Sequence, residues 1–319
     1  MRIVFMGTPE FAVASLDRLV KSNFEVVAVI TAPDKPAGRG QQLSQSAVKK
    51  YAAENKLRLL QPEKLKDPAF IEELRSLKAD LQIVVAFRML PEAVWDMPAL
   101  GTYNLHGSLL PKYRGAAPIN WAIINGEKET GVTTFKLKHE IDTGNILFRE
   151  KVEIAEDTTA GELHDIMMAV GASLIVKTVK EIEQSVENKT QLHFLVQQDN
   201  EACHAPKLFK DTCNIDWSKP MMEIYNLIRG LSPYPTAYTA LPVADGKKLV
   251  LKIFRVNFVP NEHNKPNGSV LTDNRNFIRI LCPGGAIEIL DLQLEGKKRM
   301  KVQEFLRGFK IAEGTRLQA

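Results

Sequence analysis

Cysteine is scarce in this chain. Cys203, Cys213 and Cys282 are the only three in 319 residues, too few and too widely spaced for a disulfide framework, so the expectation is reduced thiols. Cys203-His204 with Cys213 is the one arrangement that suggests zinc, but there is no C-x-x-C and no second close pair, and no metal is expected. Long apolar runs are missing as well. No stretch approaches the roughly 20 residues that cross a bilayer, and the short apolar N-terminus gives way at once to Gly7-Thr8-Pro9-Glu10, without the charged leader or cleavage pattern of a secretory signal. A cytoplasmic protein without a membrane partner is expected, and no obligate protein partner is evident. The glycine patterns of nucleotide sites are absent too. After Gly7 the chain continues Thr8, Pro9, Glu10, Phe11, so a pyrophosphate would meet an acid where G-x-G-x-x-G supplies glycine. No G-x-x-x-x-G-K-[ST] occurs either. Hydride transfer from a nicotinamide and triphosphate hydrolysis are therefore excluded, and the chain has no internal repeat or low-complexity segment.

The material present is that of a globular protein, 45% apolar and 25% charged, with length for two domains. The net charge of +4 is unevenly spread. Residues 206–319 hold 18 Lys and Arg against 11 Asp and Glu, a balance of +7, while residues 1–205 carry −3. A basic second part suits a polyanionic partner or is simply a solvated face.

Along the first part, short β-branched runs alternate with helical patterns. Arg2 to Met6, Phe24 to Thr31 and Leu81 to Phe87 read as buried strands, and Phe11, Val13, Leu16 and Leu19 mark the first helix. The expected class is a doubly wound α/β domain with a mostly parallel sheet, Rossmann-like in outline. Residues 32–42 contain two prolines, two glycines, Lys35 and Arg39, and read as a surface loop that either touches phosphates or is a plain excursion. Thr158 to Gln184 reads as a long amphipathic helix. After a polar linker at 197–210, one helix and five short strands follow (237–241, 248–256, 268–271, 277–281 and 286–294), as in a small OB-like β-barrel. Lys297, Lys298, Arg299 and Lys301 close that part with four cations in five residues. The expected domains are thus 1–196 and 211–319.

Chemistry concentrates between Tyr103 and Pro118. If Thr102 to His106 is a strand, its period of two puts Asn104 and His106 on one face, an amide that can donate to an oxyanion beside an imidazole that can take a proton. A polar strand end, with Asn104 bonded to backbone, is the plainer alternative. Asp142, in the turn Asp142-Thr143-Gly144, either caps that turn or orients the imidazole.

Taken together, these strings resemble the methionyl-tRNA formyltransferases, a family of folate-dependent formyltransferases. The resemblance is carried by Gly7-Thr-Pro-Glu-Phe11, Pro33-Asp-Lys-Pro-Ala-Gly-Arg-Gly40, Asn104-Leu-His-Gly-Ser-Leu-Leu-Pro111, Arg114-Gly-Ala-Ala-Pro118, Glu129-Thr-Gly-Val132, Asp142-Thr-Gly144, Ile215-Asp-Trp217 and Gly296-Lys-Lys298. It implies that Asn104, His106 and Asp142 carry a formyl group from 10-formyltetrahydrofolate to the α-amino group of methionine on initiator methionyl-tRNA. It also implies that Ser108, Leu109, Leu110 and Pro111 shape the folate-side loop, and that the backbone of Phe87, Arg88, Met89 and Leu90 holds the pterin. Arg39 is expected at the acceptor stem, with Lys35, Lys297, Lys298 and Arg299 as further tRNA contacts. One local departure stands out: many members read Ala-Tyr-Gly and a further apolar residue before this Leu-Pro, whereas this chain has Ala86-Phe87-Arg88-Met89 and is one residue shorter. Two rival readings are a formyltransferase for a small amine, such as an amino-sugar nucleotide or purine precursor, and a non-enzymatic RNA-binding protein. The first leaves the basic second part unused, and the second leaves Asn104, His106 and Asp142 without a reason.

Overall fold

The computed structural model describes every residue except 38–41, 244–245 and 318–319. Two compact units form. One comprises Met1–Gly115, Thr130–Glu153 and His164–His204, the other Ala116–Glu129, Ile154–Leu163 and Ala205–Ala319. The chain therefore enters the second unit twice before residue 205, a division that a single boundary along the sequence does not express.

The first unit is built on a seven-stranded sheet in the spatial order Ile146–Glu153, Glu129–Lys136, Thr102–His106, Leu81–Val85, Arg2–Gly7, Glu25–Ile30, Leu59–Leu60. From Thr102–His106 to Leu59–Leu60 neighbours are parallel, whereas Glu129–Lys136 runs antiparallel to Thr102–His106. Leu81–Val85 is buried at every position, which explains why four of its five residues are apolar; the exception, Gln82, accepts a hydrogen bond from the Thr102 hydroxyl at 3.0 Å. The order reverses at Arg2–Gly7, because the chain first builds outward to Leu59–Leu60 and then returns to lay Leu81–Val85 on the other side. In such sheets the ligand crevice lies beyond the carboxyl ends of the strands at that reversal. His106 ends the strand beside Leu81–Val85, two places from Arg2–Gly7.

The helix Ala160–Glu187 explains why Asn104 and His106 face away from it. A Cβ placed on Gly171 would come within 2.8 Å of Leu105 Cδ2, so Leu105 packs tightly on the helix. Alternation along the strand then turns Asn104 and His106 to the opposite face. On the helix side, Thr134 and Thr178 share a buried hydroxyl hydrogen bond of 2.8 Å.

One expected loop contains strand. Lys35–Ala37 and Gln42–Ser44 pair antiparallel, with Lys35 opposite Ser44. Proline discouraged that reading, but Pro36 is tolerated because the ribbon is a two-stranded edge, where a missing amide donor costs no interior ladder bond.

The second unit holds the five strands read from sequence, in the order Ala237–Pro242, Lys248–Pro260, Gly285–Leu294, Ile278–Cys282, Val270–Thr272, with Met300–Lys301 as a short sixth beside Gly285–Leu294. Register shifts between Ile253 and Val256 bend the longest strand. The sheet curls into a half-barrel; among the described residues its end strands, Ala237–Pro242 and Val270–Thr272, do not pair with each other. Trp217, Ile224, Ile228, Ile253, Ile287 and Phe305 are buried in one core. Trp217 is 2% exposed, and its indole N–H donates to Thr239 Oγ1 at 3.1 Å. Trp217→Ala should therefore remove about 3–5 kcal/mol of stability, read as a lower denaturant midpoint by circular dichroism.

Among the described residues no helix is long and apolar enough to cross a membrane, and no group of three or more His, Cys, Asp or Glu could hold a metal ion. All three cysteines are free, with Cys213 and Cys282 buried. Burial pushes both of those thiols up, Cys282 to about 11. Since the thiolate is the nucleophile, alkylation at pH 7 followed by intact-mass analysis should label Cys203 first and reach Cys282 only after unfolding.

Candidate active site

Asn104 and His106 lie on the strand Thr102–His106, across from Phe135 and Thr133 of the antiparallel neighbour. Among the described residues the Asn104 side chain has no hydrogen-bond partner, so its amide N–H groups are available to a ligand. His106 is 6% exposed. Its Nε2 lies 2.8 Å from the Tyr113 carbonyl oxygen. A carbonyl can only accept, so Nε2 carries the proton and the lone pair of the neutral ring is on Nδ1. Tyr113 adopts φ +60, a left-handed conformation that costs a non-glycine residue roughly 1–2 kcal/mol; the strain lies at the residue whose carbonyl fixes the imidazole.

Asp142 Oδ2 stands 3.8 Å from His106 Nδ1 and accepts a hydrogen bond from the Gly115 N–H at 3.0 Å. The ring is thus met on both nitrogens, by the Tyr113 carbonyl at Nε2 and by the Asp142 carboxylate facing Nδ1. Asp142 itself has φ +54, which aspartate tolerates better than most residues. Behind it, a Cβ on Gly144 would fall 1.8 Å from the Lys136 carbonyl oxygen. Gly144→Ala must therefore push this turn off its strand. Because displacements near 1 Å can cost about 10²-fold in rate, kcat should fall about that far, measured in steady-state turnover.

The loop after His106 is pinned to the sheet by Thr133. Its hydroxyl donates to the Ser108 carbonyl at 2.6 Å and accepts from the Leu110 N–H at 3.1 Å. Ser108 Oγ donates to the Lys112 carbonyl at 2.6 Å. Leu110 and Pro111 are buried, and Leu109 Cδ2 would lie 2.6 Å from a Cβ on Gly131. These four residues make a rigid wall beside the strand end.

On the next strand, Ala86 at φ +46 ends Leu81–Val85 and turns the chain into Phe87–Leu90. Arg88 points away from that turn, donating to the carbonyls of Pro62 and Glu63, and its guanidinium lies 5.6 Å from the Phe87 ring centroid. Leu90 is 9% exposed and Met89 71% exposed. Among the described residues, no backbone N–H or C=O of Phe87 to Leu90 enters a backbone hydrogen bond.

The described cations named from sequence are of two kinds, exposed and tied. Lys35 is exposed on its short ribbon, and Arg39 lies outside the described residues. In the second unit, Arg299 is held by Asp291 at 2.8 Å and its guanidinium lies 4.3 Å from the Phe254 ring centroid. Lys298 lies 3.5 Å from Glu304 with its side chain 79% exposed, and Lys297 is exposed.

Several contributors escaped the sequence reading. Tyr113 and Gly115 act through backbone, which no side-chain pattern reveals, and Thr133 is an ordinary strand threonine until its partner loop is known. Gln197, placed in the linker, is 9% exposed and donates to the carbonyls of Asp142 at 2.8 Å and Gly144 at 2.7 Å.

The geometry suits acyl transfer to an amine: an open amide donor, a basic ring nitrogen of fixed tautomer, and a carboxylate facing it. Comparison with known proteins agrees. A family model for formyl transferases matches residues 1–179, and one for the formyl transferase C-terminal domain matches residues 207–310. A methionyl-tRNA formyltransferase of Bacteroides fragilis is 53% identical, covering 100% of this chain and 98% of its own length. One from Parabacteroides distasonis is 56% identical over 99% of this chain and 98% of its own. Among solved structures, an N-formyltransferase from Helicobacter canadensis in complex with folinic acid and dTDP-3-aminofucose superposes with a TM-score of 0.66 at 23% identity, covering 93% of this chain and 99% of that one. HypX from Aquifex aeolicus in complex with tetrahydrofolic acid gives a TM-score of 0.61 at 20% identity, over 98% of this chain and 48% of that one; at these identities the likeness is one of fold. With full-length relatives at more than half identity and both domain models matched, the chain belongs to the methionyl-tRNA formyltransferase family.

Proposed function

We propose that this protein transfers a formyl group from 10-formyltetrahydrofolate to the α-amino group of methionine on initiator methionyl-tRNA. The observation that carries the proposal is the placement of Asn104, His106 Nδ1 and Asp142 Oδ2 at one strand end, beside a loop whose backbone donors and acceptors make no backbone hydrogen bond among the described residues. A pterin is flat and needs both donors and acceptors at its edge, which the backbone of Phe87 to Leu90 supplies. Ser108 to Pro111, pinned by Thr133, form the other wall. The fit is thus chemical as well as topological, and 10-formyltetrahydrofolate enters as a substrate.

Each residue then has a task. The Asn104 amide donates to the oxygen of the formyl group as negative charge develops there. His106 takes the proton lost by the attacking amine at Nδ1, since Nε2 is committed to Tyr113. A proton held at Nδ1 lies against Asp142, whose carboxylate is kept in place by the Gly115 N–H. The leaving folate nitrogen must gain a proton, and the imidazolium is the donor at hand.

The acceptor is a tRNA on this reading because of charge. The +7 balance of residues 206–319 serves a polyanion and is of no use to a small amine. Formyl transfer should be followed with methionyl-tRNA and an amino-sugar nucleotide offered together, each product being isolated chromatographically. N-formylmethionine recovered from the tRNA is the expected product. Formylated sugar with untouched methionyl-tRNA would overturn the assignment.

A further inference from the structure

Buried arginines are rare, and each needs partners for its five donors. Arg114 is 9% exposed. Its Nε and Nη2 both donate to Gln197 Oε1, at 3.0 and 2.9 Å, and its Nη1 donates to Asp199 Oδ1 at 2.9 Å. The amide of Gln197 is also fully engaged on its other side, donating to the carbonyls of Asp142 and Gly144 at 2.8 and 2.7 Å. The turn that carries Asp142 is thereby held from behind by one side chain, which is itself held by a guanidinium.

We infer that the Arg114–Gln197 pair positions Asp142 for the reaction, Arg114 fixing the orientation of the Gln197 amide and Gln197 fixing the carboxylate-bearing turn. The inference rests on the reading of Asp142 as a site residue. Asp142 sits at φ +54 and its carboxylate has one hydrogen bond to the Gly115 N–H, so the side chain alone does little to hold its backbone. Two donated bonds to the carbonyls at 142 and 144 do. Both come from an amide that Arg114 forbids to flip, because a flipped Gln197 would turn its N–H₂ onto the guanidinium. Gln197 touches no reacting atom and is a positioning residue. Where a side chain that holds a metal ion loses the partner orienting it, affinity or activity falls about 10- to 100-fold, and a loss of that order is expected for a carboxylate held in the same way.

The test is a double-mutant cycle. Gln197→Glu keeps an oxygen for Arg114 but sets a second oxygen against the two carbonyls, so it removes the hold on the turn and retains the arginine's partner. Expected are a 10- to 100-fold fall in kcat, KM values for methionyl-tRNA and folate within about twofold, and an unchanged circular dichroism spectrum. In an Asp142→Asn background the same substitution should change kcat less than about threefold, since its effect runs through Asp142. If Gln197→Glu fails to fold, Gln197→Ala carries the same cycle. A full 10-fold or larger loss in both backgrounds, or unchanged kcat in the single variant, would overturn the inference. Should Asp142→Asn itself leave turnover intact, the site reading fails and not merely the role of the pair.

Discussion

Asn104→Ala is expected to lower kcat by about 10²- to 10³-fold, the usual cost of removing one well-placed donor to an oxyanion. The effect should fall on kcat and kcat/KM alike, because the donor acts on charge that exists only in the transition state. Stability should hardly move, since the amide has no partner among the described residues whose loss would matter. His106→Ala should be as severe, but through the proton. It should also differ from Asn104→Ala in one respect. His106 is buried and bonded to the Tyr113 carbonyl, so its removal takes away that hydrogen bond and the packing of the ring, at a cost of about 1 kcal/mol or more. A thermal melt beside the kinetic assay separates the two: lost turnover with an unchanged melting temperature for Asn104→Ala, lost turnover with a lowered one for His106→Ala.

The second large effect is electrostatic and belongs to the acceptor. If about five phosphates are neutralised on binding, a fourfold rise in salt should weaken methionyl-tRNA binding by about 10²- to 10³-fold, while folate binding stays nearly flat. Individual cations should not contribute equally. Lys297 and Lys298 are exposed, and replacing either should reduce the salt slope by about one. Arg299 is tied to Asp291 and lies over Phe254, so Arg299→Ala should loosen the half-barrel and cost stability as well. Equilibrium binding across salt, with melting temperatures for each variant, distinguishes the two kinds of cation.

Much of this was legible in the sequence because periodicity reports burial directly. Val26 to Ile30 and, apart from Gln82, Leu81 to Val85 are apolar since the sheet is covered on both faces, and the five strands of the half-barrel show themselves as short runs separated by turns. Asn104 and His106 could be placed on one face for the same reason, once the strand was recognised. What escaped was the part of the site made by backbone and by distant chain. The carbonyl that sets the imidazole tautomer belongs to Tyr113, the amide that holds the Asp142 carboxylate belongs to Gly115, and neither leaves a side-chain signature. Gln197 was hidden differently. It opens a polar, aperiodic stretch that reads as linker, and only the folded turn at Asp142 to Gly144 shows what its amide meets. The ribbon at Lys35 and Ser44 was missed because proline and glycine density argues for loop, a rule that holds for interior strands and weakens at a two-stranded edge.

The role of His106 as proton acceptor at the end of its strand is the centre of this account, and single-turnover transfer tests it most directly. Protein in excess over [¹⁴C]formyl-labelled 10-formyltetrahydrofolate and methionyl-tRNA should move label to the tRNA in one exponential phase. His106→Ala should slow that phase by at least about 10²-fold with both substrates still bound. Label arriving on tRNA at an unchanged rate in that variant, or never arriving with the native protein, would contradict it.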